Sequence, residues 1–158
     1  MIKAAKLVQN GKAKTVKTTF HRITSVSIEI KAEAAIIWSL LTNASDYPRW
    51  NSTVISIEGK IASGEKIKLR STLDTKRTFK LKVKEFEVNK KLVWGDGQGN
   101  RVFTIAKNEN GTAAFTMTEK IGGIMFPLYA RMIPSFDQSF EQFASDLKKE
   151  AESIMNTA

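Results

Sequence analysis

Apolar and polar side chains alternate along most of this chain. In the run 22–31, Val26, Ile28 and Ile30 form one face and polar residues form the other, a pattern typical of a half-buried strand. Six further runs of this kind follow, at 53–58, 65–73, 77–88, 91–97, 101–107 and 112–121. Because mostly short loops join them, the pattern predicts a seven-stranded antiparallel sheet.

Helical spacing appears in three places. Apolar residues recur at helical intervals over 32–42, and a shorter helical segment ends at Trp50. Two glycines follow the last strand, and the next segment, 124–133, is apolar enough to lie against the sheet. The chain then closes with an amphipathic helix whose apolar stripe comprises Phe136, Phe140, Phe143, Leu147 and Ile154. This order predicts an α+β domain in which a curved sheet wraps a long C-terminal helix.

The strand at 77–88 changes its apolar phase part-way along. Phe79, Leu81 and Val83 share one face, whereas Phe86 and Val88 fall out of step with them. A single extra residue in one strand produces such a slip and bends the strand. The sequence therefore predicts a β-bulge near residues 84–85.

The first 19 residues differ from the rest of the chain. They are polar and basic without sustained periodicity, which predicts an N-terminal arm or a short added element at 1–19, followed by one domain at 20–158. Lysines stand where a secretory signal would carry an uninterrupted apolar stretch, and no apolar run approaches the length of a membrane span. We expect a cytoplasmic protein.

Positive charge is in excess and is concentrated on two strands. The net charge is +9, from 25 Lys and Arg against 16 Asp and Glu. Lysine or arginine alternates with apolar residues over 66–70 and again over 80–84, so these cations belong to the outer side of the sheet. This basic stripe is either a solvated face or a contact surface for anionic lipid or nucleic acid, although it lacks interleaved aromatic residues that would stack on bases.

Several classes of chemistry are excluded by composition. There is no cysteine, so disulfides, zinc-thiolate centres and thiol nucleophiles are ruled out. The single histidine, His21, lies just ahead of the first strand of the predicted sheet, and no acidic pair has metal-ligand spacing. We therefore predict neither a metal nor a cofactor, and we find no catalytic constellation.

The order of elements and one local motif resemble a known family. The residues that carry the likeness are Trp38 to Thr42 and Asp46-Tyr47-Pro48-Arg49-Trp50-Asn51, which is similar to the "y-x-x-W-n" signature of the polyketide cyclase/dehydrase and lipid transport branch of the START-like (SRPBCC) superfamily. Thr116 to Glu119 ahead of two glycines and the amphipathic end of the chain support it. The resemblance covers about residues 20 to 156 and does not extend to the basic arm. Its motif is specific for the fold and does not identify a chemical activity. It implies a helix-grip fold with two short helices between the first two strands.

The resemblance also implies a cavity between sheet and C-terminal helix that holds a hydrophobic molecule. We expect binding or transport of a small lipid-like or aromatic ligand, because many large apolar side chains lie on the strands and closing helix. Each of these side chains can instead simply fill the core, and Trp50 can instead fix the second helix on the sheet. The candidate ligand-binding residues are Trp50, Leu69, Phe79, Leu81, Trp94, Phe103, Phe115, Met117, Met132, Phe136 and Phe140.

Two polar residues are further candidates. Glu119 has the same strand parity as Phe115 and Met117, so it is the candidate acid/base if the protein is instead a cyclase or dehydratase. Arg131 is the candidate anchor for a ligand carboxylate. The alternative for both is a charge on the rim or the surface. A third hypothesis is that the cavity is incidental and the basic stripe binds anionic lipid or nucleic acid.

Overall fold

The structure is a computed structural model that describes residues 8–157. The strands are β1 Lys14–Lys17, β2 His21–Ile30, β3 Val54–Glu58, β4 Lys66–Ser71, β5 Asp74–Glu87, β6 Lys91–Gly95, β7 Gly99–Lys107 and β8 Ala113–Gly122. The helices are α1 Ala34–Thr42, α2 Tyr47–Trp50, α3 Phe126–Tyr129 and α4 Asp137–Thr157, with 3-10 turns at Ala44–Asp46 and Ala130–Met132. All eight strands form one antiparallel sheet in the order β1-β2-β8-β7-β6-β5-β4-β3.

The predicted fold class is confirmed, but the strand count of seven is wrong. The eighth strand is β1, which lies in the predicted basic arm and pairs with β2, with Lys14 opposite Ser25. Since β1 is an edge strand exposed along most of its length, its residues show no apolar alternation, and the sequence pattern misses it. The part of the predicted arm before residue 8 lies outside the described residues.

β-bulges bend the sheet. The register between β5 and β6 shifts between Val83 and Glu85, which confirms the predicted bulge. Two more shifts occur between Val54 and Ser56 in β3 and between Leu69 and Ser71 in β4. Because bulges increase local twist, three of them within the β3–β5 region help this half of the sheet to curve.

Aromatic residues of the signature motif tie the short helices to the core. Tyr47 is fully buried, and its hydroxyl donates to the carbonyl oxygen of Leu41 at 2.7 Å. Burial raises the pKa of Tyr47 above its usual range. The ring centroid of Trp50 lies 5.0 Å from that of Tyr47 and 5.9 Å from that of Phe143 on α4. The motif therefore has a clear structural role in fixing α1 and α2.

Helix α4 buries one face against β2 and β8. Its buried residues are Phe140, Phe143, Ala144, Leu147 and Ala151, which follow the predicted stripe. Phe143 lies at the centre of an aromatic cluster, with ring centroids 5.8 Å from Phe103 and 6.2 Å from Phe115. These rings fill the space between this half of the sheet and the helix.

The segment between β8 and α4 does not lie against the sheet as predicted. Ile124, Met125, Leu128 and Met132 are 85%, 57%, 74% and 82% exposed, and only Phe126 is buried among its large apolar neighbours at 124–132. The chain leaves the sheet at Gly122, whose φ of 148° is readily adopted only by glycine. The ring of Phe126 then packs against that of Tyr129, with the centroids 5.6 Å apart. A short helical turn thus buries one side chain and leaves the others in solvent.

Candidate ligand cavity

A cavity of about 220 Å³ lies at one end of the sheet. Its wall is formed by the inner faces of β4 to β8 and by the segment that leads into α4. The β4–β5 and β6–β7 turns contribute Leu73, Asp74 and Gln98 to the lining. Because Asp74 and Gln98 are exposed to solvent, these turns mark the open end of the cavity. The apolar part of the wall comprises Leu69, Phe79, Leu81, Trp94, Ile121 and Phe136.

The cavity also contains an ion pair. Arg101 on β7 lies directly opposite Glu119 on β8, and Arg101 Nε is 2.8 Å from Glu119 Oε1. The two side chains are only 12% and 17% exposed. The guanidinium carbon of Arg101 is also 4.9 Å from the ring centroid of Phe140. An ion pair at this depth offers both hydrogen-bond donors and an acceptor to any molecule that enters the cavity.

A row of hydroxyls continues the polar line across the sheet. Thr24 on β2 lies opposite Glu119, and its Oγ1 is 3.0 Å from Oγ1 of Thr15 on β1. The Thr15 hydroxyl donates to the carboxylate of Asp137 at the start of α4, so Thr24 is the donor to Thr15. This row connects β1 and β2 with the start of the closing helix.

Arg22 fixes the wall segment ahead of α4. Its side chain is 6% exposed and donates to the carbonyl oxygens of Ile133 at 3.2 Å and Pro134 at 2.8 Å. Its guanidinium carbon lies 4.5 Å from the ring centroid of Phe136. Burial lowers the pKa of Arg22, while the nearby carboxylates of Glu119 and Asp137 oppose this shift. Arg22 thereby holds Phe136 in the cavity wall.

The structure brings some of the candidate residues together in the cavity and places others elsewhere. Those on the wall are Leu69, Phe79, Leu81, Trp94, Met132, Phe136 and Glu119. Those packed away from the wall in the core are Trp50, Phe103, Phe115, Met117 and Phe140. Arg131 is exposed on the 3-10 turn and does not contribute to the wall. The ligand-binding and catalytic roles suggested by the sequence stay predictions.

Sequence reasoning missed the two arginines of the site. Arg101 has the same strand parity as Phe103 and Ile105, which places it on the inner face. Counting outward from the loop at 108–111 brings it opposite Glu119. Arg22 likewise has the same strand parity as Thr24 and Val26. The signal was present in both cases, because strand parity applies to charged residues as well as to apolar ones.

Solved structures from several bacteria have a similar fold. A START superfamily protein from Mycobacterium smegmatis matches with a TM-score of 0.61 at 16% identity, covering 84% of this chain and 98% of that one. A hypothetical protein from Helicobacter pylori matches with a TM-score of 0.66 at 12% identity, covering 80% and 86%. A conserved protein of unknown function from Enterococcus faecalis has a TM-score of 0.64 at 12% identity, covering 89% and 77%.

The chain has a START-like helix-grip fold. No protein-family model and no curated protein matches the sequence. At identities this low, the similarity of this chain to the solved structures establishes the fold alone. The function therefore has to be argued from the site itself.

Within residues 8–157, no three histidine, aspartate or glutamate side chains are grouped so that they could hold a metal ion. In the same part of the chain, no helix combines the length and the apolar character needed to cross a membrane.

Proposed function

We propose that the protein binds a small, mostly apolar molecule in the cavity, with a neutral polar group of that molecule placed against Arg101 and Glu119. The observation that carries this proposal is the combination of an apolar wall with a largely buried ion pair in one cavity. Apolar walls with a few oriented polar groups are characteristic of small-molecule sites. The START-like fold supports it, since this fold encloses a cavity between sheet and helix.

The cavity volume limits the size of the ligand. At about 220 Å³ it is smaller than the roughly 300–1,000 Å³ of drug-sized sites. A ligand with one or two aromatic rings, or a short acyl chain, fits this space. Burial of about 200 Å² of apolar surface contributes about 5 kcal/mol before association costs, so we expect affinity in the millimolar range.

The ion pair favours a neutral polar group over an anion. A ligand hydroxyl can donate to Glu119 and accept from the guanidinium of Arg101 at the same time. A ligand carboxylate would instead meet the negative charge of Glu119 at close range. A hydroxyl-bearing or carbonyl-bearing ligand therefore suits this site better than a carboxylic acid.

The test uses three probes that share one ring system. Calorimetric titration with 2-naphthol, 2-naphthoate and naphthalene separates the polar contribution from the apolar one. We expect 2-naphthol to bind most tightly, and Leu81→Trp, which narrows the cavity, to weaken binding of all three probes about tenfold or more. Val88→Trp is the matched control, because Val88 is 60% exposed and lies off the wall. Equal binding to wild type and Leu81→Trp would show that the cavity is not the site.

Native mass spectrometry of protein from its own host would identify any natural occupant.

A second candidate function rests on the outer face of β4 and β5. Lys66 lies directly opposite Lys82, and Lys68 lies opposite Lys80, so the predicted basic stripe spans two neighbouring strands. Like charges in this arrangement disfavour the sheet unless an anion lies over them. We infer that this face can bind a polyanionic partner. Binding to heparin that weakens steeply with salt and is lost in Lys80→Glu/Lys82→Glu would support it, whereas unchanged binding of that variant would contradict it.

A further inference from the structure

Exposed apolar side chains gather at the open end of the cavity. Of the nine large hydrophobic residues that are exposed among residues 8–157, five lie on the β1–β2 turn or on the segment after β8. They are Phe20, Ile124, Met125, Leu128 and Met132, which we call the apolar lip. The backbone N–H of Gly123 donates to the carbonyl oxygen of Phe20 at 2.9 Å, which joins the two parts of the lip.

The apolar lip borders the mouth of the cavity. Met132 itself lines the cavity, together with Tyr129 and Ile133 of the same segment. Leu128 precedes this wall directly in the chain and is 74% exposed. Exposing large apolar side chains to water costs free energy. A cluster of them on the surface therefore indicates a contact surface.

Exposed cations lie on the elements that adjoin the apolar lip. Arg131 lies within the lip segment, and Lys17 and Lys120 lie on the adjoining strands β1 and β8. Lys76 and Arg77 lie on β5 across the mouth, close to the β4–β5 turn. All five are exposed, and none of them forms a salt bridge within residues 8–157.

Besides Glu119, two carboxylates line the cavity, and each accepts hydrogen bonds within its own turn. Asp96 Oδ1 accepts the backbone N–H groups of Gln98 at 2.8 Å and Gly99 at 3.1 Å. Asp74 Oδ1 accepts that of Lys76 at 3.3 Å. Both carboxylates keep their negative charge, but the five exposed cations outnumber them, so this end of the sheet carries a net positive charge.

We propose that the apolar lip docks on an anionic lipid bilayer, with the mouth of the cavity facing the membrane. Separate protruding Leu, Ile and Met side chains suit the boundary between headgroups and acyl chains, and a rim of Lys and Arg suits anionic headgroups. A flat protein partner fits less well, because four of the five lip residues follow one another within 124–132. This proposal goes beyond ligand binding and does not depend on it. If both hold, the ligand enters from the membrane.

Co-sedimentation with lipid vesicles tests the docking surface. Vesicles of phosphatidylcholine with roughly one third phosphatidylglycerol should bind the wild-type protein, and binding should fall as salt rises. Leu128→Ser/Met132→Ser should weaken it about tenfold or more, since two apolar side chains no longer enter the bilayer. The matched control is Val88→Ser/Met155→Ser, which removes two exposed apolar side chains outside the lip and should bind like the wild type.

A second measurement reports which surface enters the bilayer. Leu128→Trp should be quenched by brominated phosphatidylcholine more strongly than Val88→Trp, each measured above the background of the three native tryptophans. Failure of the wild type to bind the anionic vesicles would overturn the proposal. Binding that survives in the lip variant but is lost in Lys80→Glu/Lys82→Glu would assign the membrane contact to the basic stripe. A dimer that dissociates on changing Leu128 and Met132 would make a second copy the occupant of the lip.

Discussion

Arg101 and Glu119 face each other across β7 and β8, with their charged atoms 2.8 Å apart on the wall of the cavity. Both side chains are more than four-fifths buried, so each depends on the other to offset the loss of water. The pair is therefore a structural element as well as the polar part of the candidate site.

Removing one partner of this pair should destabilise the fold. Arg101→Met leaves the Glu119 carboxylate without its counter-charge, and loss of one member of a buried pair typically costs about 3–5 kcal/mol. Since the pair borders the cavity, we expect the lower end of that range. Urea unfolding of Arg101→Met, Glu119→Leu and the double variant measures the coupling. The double variant should recover most of the loss, and additive single effects would show that the two charges do not interact.

Tyr47→Phe should destabilise the protein and change its response to alkali. The buried carbonyl oxygen of Leu41 loses the donor at 2.7 Å, at a cost of about 1–3 kcal/mol. Because burial raises the pKa of Tyr47, its stabilising contribution is complete below the pKa of an unfolded tyrosine, about 10, and falls as the pH rises above that value.

The Tyr47 prediction is tested by chemical denaturation across pH 8 to about 11. Wild type should lose up to about 1.4 kcal/mol per pH unit relative to Tyr47→Phe above pH 10. Parallel curves for the two proteins would contradict the assignment.

Gly122→Ala should be poorly tolerated. The φ of Gly122 is 148°, and an added Cβ would lie 2.0 Å from the carbonyl oxygen of Phe20. Backbone atoms must move to relieve this contact, so we expect a loss of more than about 1 kcal/mol. Gly97→Ala is the matched control, because its Cβ would meet no atom within 4 Å. Thermal unfolding of both variants gives the comparison, and equal melting temperatures would refute the prediction.

Reversing one charge on the basic stripe should stabilise the sheet. Lys80→Glu places a carboxylate directly opposite Lys68, so a repulsive cross-strand pair becomes an attractive one. The expected gain is about 0.5 kcal/mol at low salt, and it should shrink as salt screens the pair. Lys76→Glu serves as a control for net charge because it lies outside the cross-strand pairs of β4 with β5. A gain of the same size in both variants would mean that only total charge matters.

The patterning of the sequence determined most of the secondary structure. Seven strands, the bulge in β5, the two short helices and the amphipathic face of α4 all follow from the period at which apolar residues recur. The pattern did not predict β1, because an edge strand exposed to water has no apolar face. The pattern also did not predict that Leu128 and Met132 are exposed, since the apolar character of a segment does not say whether other residues cover it.

The sequence predicted only part of the candidate site. Strand parity assigned Phe79, Leu81, Phe103 and Phe115 alike to the inner face, yet only the first two line the cavity. The sequence by itself determined which face each side chain occupies, because a strand repeats every two residues and a helix every 3.6. Tertiary structure decided the rest. Where α4 packs on β2 and β8 the aromatic rings fill the core, and beyond it, where β4 and β5 curve away, the same kinds of residue enclose a cavity around Arg101 and Glu119.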